Sequence, residues 1–394
     1  MKPMMIMLLV AAFTTTQAQE VNIAKTFADA EKQTKVMLDA IAEAQPMQPD
    51  GFSPRTLEKG ALKLVPSKDW TSGFFPGVLW ELYEYTHAAV WKEAATRFTA
   101  GMEKEKTNGH THDMGFKIYC SVGTGYRLTK DAHYKEVIIQ SARTLATRFN
   151  PVTGCIRSWD SNPQTAQWAY PVIIDNMMNL ELLFEATKLS GDSSFYRIAV
   201  SHANTTLKNH FRSDYSSYHV VDYDTLHAGK VLQKSTHQGY ASESAWARGQ
   251  AWGLYGFTMC YRETHNPVYL QQAEHIATFI LHNPHLPKDL VPYWDYNDPA
   301  IPNVPRDASA AAVMAAALYE LSGYSENRLY YIAKADTMLQ SLTGYYRSTI
   351  GENKGFLLLH STGNKPANSE IDAPLSYADY YYLEALLRSK KVGR

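Results

Sequence analysis

Two aspartates in this 394-residue chain stand where chemistry is the more informative reading. Asp175 follows the apolar approach Val172-Ile173-Ile174 and precedes the helical pattern Met177, Met178, Leu180, Leu182, Leu183, Phe184. A carboxylate there is either a helix N-cap or an acid–base group in surroundings that favour burial. Asp113 stands in HTHDMGF beside His110 and His112, where it is either a second cap or a substrate-orienting carboxylate. Paired carboxylates are the usual equipment for cleaving a glycosidic bond. Like charge across a cleft would raise one pKa and keep a proton available near neutrality. A metal reading of HTHD needs three or four ligands, and no compact second His/Cys cluster supplies them, so no metal is expected.

A third segment, HQGYASESAWARGQAW, gathers His237, Gln238, Arg248 and Trp252. Arg248 and Trp252 are four apart and share a helix face, which suits a guanidinium–indole clamp for a uronate. The competing reading is a structural Arg–carboxylate pair beside a core tryptophan. Trp70, in DWTSGFFPG, carries the same ambiguity. There is no GxSxG elbow, Gly-rich phosphate loop or HExxH, so nucleophilic serine, nucleotide and zincin chemistry have no support. No cofactor is expected.

The elements that must position these residues are helical. Apolar periodicity predicts helices near 21–45, 72–87, 89–106, 115–128, 131–148, 174–190, 192–211, 246–264, 266–282, 306–322, 325–343 and 374–389. Short turns such as SGDSS and TKDA join them into hairpins. One strand-like region, 216–240, reads as a β-hairpin insertion. Six sequential helical hairpins imply an all-α (α/α)6 barrel rather than an open solenoid, since no fixed-length repeat appears. Inner helices of such a toroid run parallel, so the six chemically rich segments that start them would ring one mouth. Helix N-termini there also favour an anionic ligand.

Residues 1–18 have the basic start, apolar run and small-residue exit of a secretory leader, with cleavage expected after Ala18. The apolar run is too short for a membrane span, and no Cys follows it to take a lipid. Residues 19–394 are expected to form one catalytic domain, periplasmic or secreted, as a monomer or homodimer. A net charge of −1 gives no reason to expect nucleic acid or an anionic membrane surface. Aromatic residues reach 12%, with 26 Tyr and 8 Trp, a surplus that suits a carbohydrate cleft or thick helix packing. Cys120, Cys155 and Cys260 match neither a disulfide framework nor a metal site, and are expected to be buried thiols.

In their order along the chain, WTSGFFPGVLWELYEYT, THDMGF, VIIDNMMNLELLFEA, SSYHVVDYD, THQGYASESAWARGQAWGLYGF and EIDAPLSYADYYYLEAL resemble glycoside hydrolase family 88, the unsaturated glucuronyl hydrolases. The likeness runs from about Thr71 to Leu387. It implies an (α/α)6 barrel that acts on unsaturated uronyl oligosaccharides made by polysaccharide lyases. It also implies hydration of a C4=C5 vinyl ether in place of attack at the anomeric carbon. On this resemblance Asp175 is the principal acid–base group and Asp113 the second essential carboxylate. Trp70, His112, Trp159, His219, Gln238, Arg248 and Trp252 would contact substrate. The late stretch HSTGNKPANSE contains Lys365, but not the serine spacing of members that prefer sulfated disaccharides. The rival readings are an unsaturated rhamnogalacturonyl hydrolase on pectin fragments, a non-catalytic glycan-binding toroid, and an inverting hydrolase that accepts saturated substrates.

Overall fold

The computed structural model describes residues 21–392; the expected leader lies outside them. Twelve α-helices are present among the described residues. Those of the outer layer are α1 (Ile23–Ala44), α3 (Ala89–Ala100), α5 (Ala132–Ala146), α7 (Ser193–Asn209), α9 (Pro267–Leu281) and α11 (Arg328–Tyr345). Those of the inner layer are α2 (Phe74–Thr86), α4 (Thr124–Thr129), α6 (Leu180–Ser190), α8 (Ala247–Thr264), α10 (Ala308–Leu321) and α12 (Ser376–Lys391). A π-helix, Gly115–Gly123, leads into α4, and a 3-10 turn, Ile174–Asn179, leads into α6.

Sequence pattern sorts the two layers. In α7 the buried residues are Phe195, Ala199, His202, Ala203 and Thr206, one stripe at helical spacing. In α10, ASAAAVMAAALYEL, every residue but Glu320 is buried, and its alanines let neighbouring helices approach closely. Each inner helix packs on the next, α2 on the π-helix, that on α6, then α8, α10 and α12, and α12 returns to α2. The ring closes, giving the expected (α/α)6 barrel.

Caps follow the same division. Asp131, Asp192 and Asn266 accept backbone N–H bonds at the starts of α5, α7 and α9. Of the inner starts, only α10 has a side-chain cap, Asp307; those of α2, the π-helix, the 3-10 turn, α8 and α12 have none. The polar residues gathered there are therefore not spent on capping.

The strand content exceeds the single hairpin expected from the sequence. Strands β1 (Ser53–Glu58) and β2 (Ala61–Val65) form a hairpin turned at Lys59 and Gly60, both with positive φ. Thr56 of β1 donates to the Pro374 carbonyl at 2.8 Å, which docks the hairpin beside the start of α12. A two-residue ladder pairs β3 (Phe149–Asn150) with β4 (Cys155–Ile156). The apolar approach to Asp175 is itself a strand, β5 (Pro171–Ile173), paired antiparallel with β6 (Val220–Tyr223), which pairs with β7 (Val231–Ser235). In register, Val172 faces Val221 and Ile173 faces Val220, so burial on β6 explains why the approach is apolar. All three cysteines are buried and free. Among the described residues no helix is long and apolar enough to cross a membrane.

Candidate active site

Asp175 is the second residue of the 3-10 turn, and Ile173 holds the N-cap position without a side-chain bond. The cap reading of Asp175 therefore fails. Its side chain is buried and Oδ2 has no hydrogen-bond partner. Its pKa is pushed up to about 7, first by burial; the Arg248 charge and its own backbone N–H pull it down, and Asp113 pushes it up. The expected mutual repulsion is thus a secondary cause, and desolvation is the main one. A raised pKa alone does not mark chemistry. Asp379 rises to about 8 by burial, but both its oxygens accept backbone N–H bonds from Leu357 and Leu358. Asp175 differs in having an oxygen left to react.

Asp113 precedes the π-helix and accepts a bond from Thr111 Oγ1 at 3.2 Å. Asn179 joins its segment to that of Asp175. The Asn179 side-chain oxygen accepts the N–H of Gly115 at 2.8 Å and of Phe116 at 3.1 Å. A Cβ at Gly115 would lie 2.6 Å from Asn179 Cα, so the close approach requires glycine. Asn176 Nδ2 donates to the Ile156 carbonyl at 2.9 Å and anchors the same turn to β4.

Two histidines have protonation patterns fixed by their partners. His219 Nδ1 accepts the backbone N–H of His237 at 3.0 Å and of Gln238 at 3.2 Å. The ring must then carry its proton on Nε2, which lies 3.7 Å from Asp175 Oδ2. Burial holds its pKa well below the usual range, so it is a neutral donor. His112 is the reverse case. Its Nδ1 is 2.7 Å from the Ser158 carbonyl and must donate, so Nε2 faces Asp113 Oδ1 at 3.1 Å. Despite that distance, His112 Nε2 makes no complete hydrogen bond. Burial lowers the His112 pKa and Asp113 opposes it. His110 instead points outward to Asp160 at 3.4 Å, and no group of three or more His, Cys, Asp or Glu among the described residues is placed to hold a metal.

Arg248 and Trp252 do not form the open clamp expected of them. Arg248 is 1% exposed. Its Nη1 bonds Asp307 Oδ2 at 2.7 Å and its guanidinium also donates to the carbonyls of Thr362 and Gly363. Only Nε lacks a partner. Trp252 is fully buried between Phe116 and Tyr381, so it offers no ring face to a sugar. Its indole Nε1 makes no complete hydrogen bond, yet lies near enough to Asp175 to favour the anion. Both residues act on the site from inside the wall.

The open surface is a cleft of about 350 Å³ whose lining does not include Asp113, Asp175, His112 or His219; the Trp159 ring that lines it stands 6.0 Å from that of His219. Trp70, Trp159, His237 and Gln238 line it, as expected of the stacking and contact residues, together with Tyr377 and Glu370. Trp70 stands 5.0 Å from Tyr377, and Trp159 5.3 Å from Trp168. Gln238 Nε2 reaches the Gly363 carbonyl at 3.1 Å. Lys365 is engaged elsewhere, 3.3 Å from Asp298 and 4.6 Å from the Trp294 ring. Sequence reasoning missed Asn176, Asn179, Asp307, Tyr377 and Glu370. The first two had a signal: asparagines one and four residues after Asp175, inside an apolar run, must be buried with partners.

The profile of Glycosyl Hydrolase Family 88 matches residues 50–280. The unsaturated glucuronyl hydrolase of Formosa agariphila is 50% identical over 379 residues, 95% of this chain and 92% of that protein. The unsaturated chondroitin disaccharide hydrolase of Streptococcus pneumoniae is 32% identical over 338 residues, 83% of each. Among solved structures, an unsaturated glucuronyl hydrolase specific for heparin superposes with a TM-score of 0.88 at 46% identity, covering 94% of this chain and 97% of that one. By the family match over residues 50–280 and the 50% identity over nearly its whole length, the chain belongs to glycoside hydrolase family 88.

Proposed function

We propose that this glycosidase removes the 4,5-unsaturated uronic acid from the non-reducing end of polysaccharide-lyase products by hydrating its C4=C5 vinyl ether, with glycosaminoglycan oligosaccharides as substrates. One observation carries the reading: Asp175 is a buried carboxyl with a pKa raised to about 7 and a free oxygen beside a neutral histidine donor. Such a group holds a proton at neutral pH and can give it to carbon. Asp175 protonates C4, leaving positive charge shared between C5 and the ring oxygen. Water adds at C5 and returns a proton to Asp175. The resulting hemiketal opens by breaking the bond from C5 to the ring oxygen. C1 is left as a hemiacetal, which releases the remaining sugar without further catalysis. His219 would donate to the substrate, and Asp113 would hold the sugar hydroxyls. Trp70 and Trp159 would stack on the rings.

Relatives that act on heparin-derived and chondroitin-derived unsaturated sugars support the glycosaminoglycan class. Secretion guided by residues 1–18 is part of the proposal, and sequencing the mature N-terminus tests it. The reaction is tested with unsaturated disaccharides from heparin and chondroitin lyases. The alkene's ultraviolet absorbance should fall as reducing sugar appears, and reaction in heavy water should place one deuterium at C4. Turnover of a saturated glucuronide at a comparable rate would sink the mechanism. Tight binding without turnover would make the protein a glycan-binding toroid.

A further inference from the structure

Beneath the cleft lies a second cavity of about 340 Å³, separated from it by the packed rings of Phe116, Trp252 and Tyr381. It is enclosed by the C-terminal halves of inner helices, among them α2 with Glu81 and Glu84, α8 with Arg262, and α12 with Glu384 and Arg388. The barrel therefore has a second, chemically distinct mouth.

Every basic side chain lining this cavity is already paired. Arg262 engages Glu181, Glu263 and Glu320. Arg388 engages Glu384 and Glu320. Arg127 and Lys391 both hold Glu84, and Lys188 holds Glu263. The unpaired capacity is acidic. Glu81 is 2% exposed, makes no hydrogen bond to any described residue, and has a fully buried, unpartnered Oε2. Glu384 uses Oε1 for Tyr255 and Arg388 but leaves Oε2 without a partner. An anion would find no free cation here. An apolar ligand would leave the Glu81 carboxyl, which makes no hydrogen bond, unsatisfied, at the cost such groups carry. A ligand with several N–H donors and a positive charge suits the Glu81 and Glu384 side chains that line the space, and the walls of Tyr119, Tyr255 and Tyr380 favour a cation over an anion.

We propose that the lower cavity is a binding site for a small protonated primary amine, its ammonium group directed to Glu81 and Glu384. The volume limits the ligand to about monosaccharide size. Burial, reinforced by the charges of Glu384 and Glu84, raises the Glu81 pKa and so favours its neutral form while the cavity is empty. An arriving ammonium reverses that preference.

The test uses n-butylamine as probe and n-butanol as its neutral counterpart, with binding followed by calorimetry and by density in soaked crystals of the whole protein. Butylamine should bind at millimolar concentration in the lower cavity, and butanol should not. Glu81→Gln keeps the shape and should weaken butylamine binding about tenfold or more, as losing a charged hydrogen-bond partner does. Asp175→Asn should leave it unchanged. If Glu81→Gln does not fold, Glu384→Gln makes the same comparison. The proposal is overturned by the absence of butylamine binding, by equal binding of butanol, by undiminished affinity in the carboxyl variants, or by amine density confined to the upper cleft. These readouts do not depend on turnover of any sugar.

Discussion

At the scale of single residues, Asp175 should reveal itself through two opposite effects of one substitution. Asp175→Asn keeps the shape and removes the exchangeable proton, so activity should fall roughly a hundredfold or more in a folded protein. Stability should rise. A carboxyl whose folded pKa is raised from 3.8 to about 7 is penalised once the unfolded chain ionises. The wild type therefore loses stability as pH climbs through that window and stays flat above it. Melting curves should show the Asn variant more stable at about pH 8, with the gap closing near pH 4. Wild-type kcat should fall as pH rises through about 7, because the donor is the protonated form. Equal melting temperatures at both pH values would contradict the buried, raised carboxyl. Arg248 carries a different expectation from the clamp suggested by its spacing. Arg248→Ala strands Asp307, a fully buried carboxylate, and should cost about 3–5 kcal/mol of stability. It also removes a charge that favours Asp175 ionisation, so any residual activity should persist to higher pH. A raised KM with unchanged melting would restore the clamp. The sequence showed that Arg248 and Trp252 share a face, but not that the face is turned into the wall; that is decided by Asp307 and the Thr362–Gly363 carbonyls, over a hundred residues away in the latter case.

Between residue and barrel stand the elements, and the two catalytic candidates share one strut. Asn179 lies one turn after Asp175 and binds the N–H groups just after Asp113. Asn179→Ala should leave two buried donors unsatisfied, at about 1–3 kcal/mol each, and lower kcat more than it raises KM. Activity measured against a standard disaccharide, beside a melting curve, separates this from general unfolding. An unchanged kcat would show that the carboxylates hold their spacing without it. Helix existence was legible from periodicity, and observed ends fall close to those expected, because the apolar stripes and the caps at Asp131, Asp192 and Asn266 act locally. Two departures have physical causes. The run Pro171–Ile173 is a strand because its pairing partner, Val220–Tyr223, arrives from far along the chain. The helix expected over 115–128 opens as a π-helix, Gly115–Gly123, whose first N–H groups are taken by the distant Asn179 side chain.

The whole molecule divides its chemistry between two ends of one ring. Trp70 and Tyr377, at the N-terminal ends of α2 and α12, line the cleft, whereas Glu84, Arg262, Glu384 and Arg388, farther along α2, α8 and α12, line the second cavity, which is possible only when these inner helices run the same way. That parallel ring was legible, since six chemically rich segments recurred at alternate helix starts. The lower cavity was not, because glutamates scattered over α2, α6 and α12 look like ordinary solvated positions until closure buries them. Closure itself depends on the contact between the first and last inner helices. At Gly77 of α2 an added Cβ would come within 2.5 Å of the Tyr380 ring of α12 and 2.8 Å of the Cys120 carbonyl oxygen. The ring can tilt, but the carbonyl belongs to the π-helix backbone and cannot yield cheaply. Gly77→Ala should therefore destabilise the protein by about 1–3 kcal/mol, as overpacking does. Because Trp70 and Tyr377 stand at the cleft ends of the same two helices, kcat/KM should fall with it. Gly344 of α11 is the control, with nothing within 4 Å of an added Cβ. There alanine should be neutral or add about 0.5–1 kcal/mol through helix propensity. If Gly77→Ala melted like Gly344→Ala and kept full activity, the seam between α2 and α12 would be loose, and ring closure would not set the geometry of the cleft.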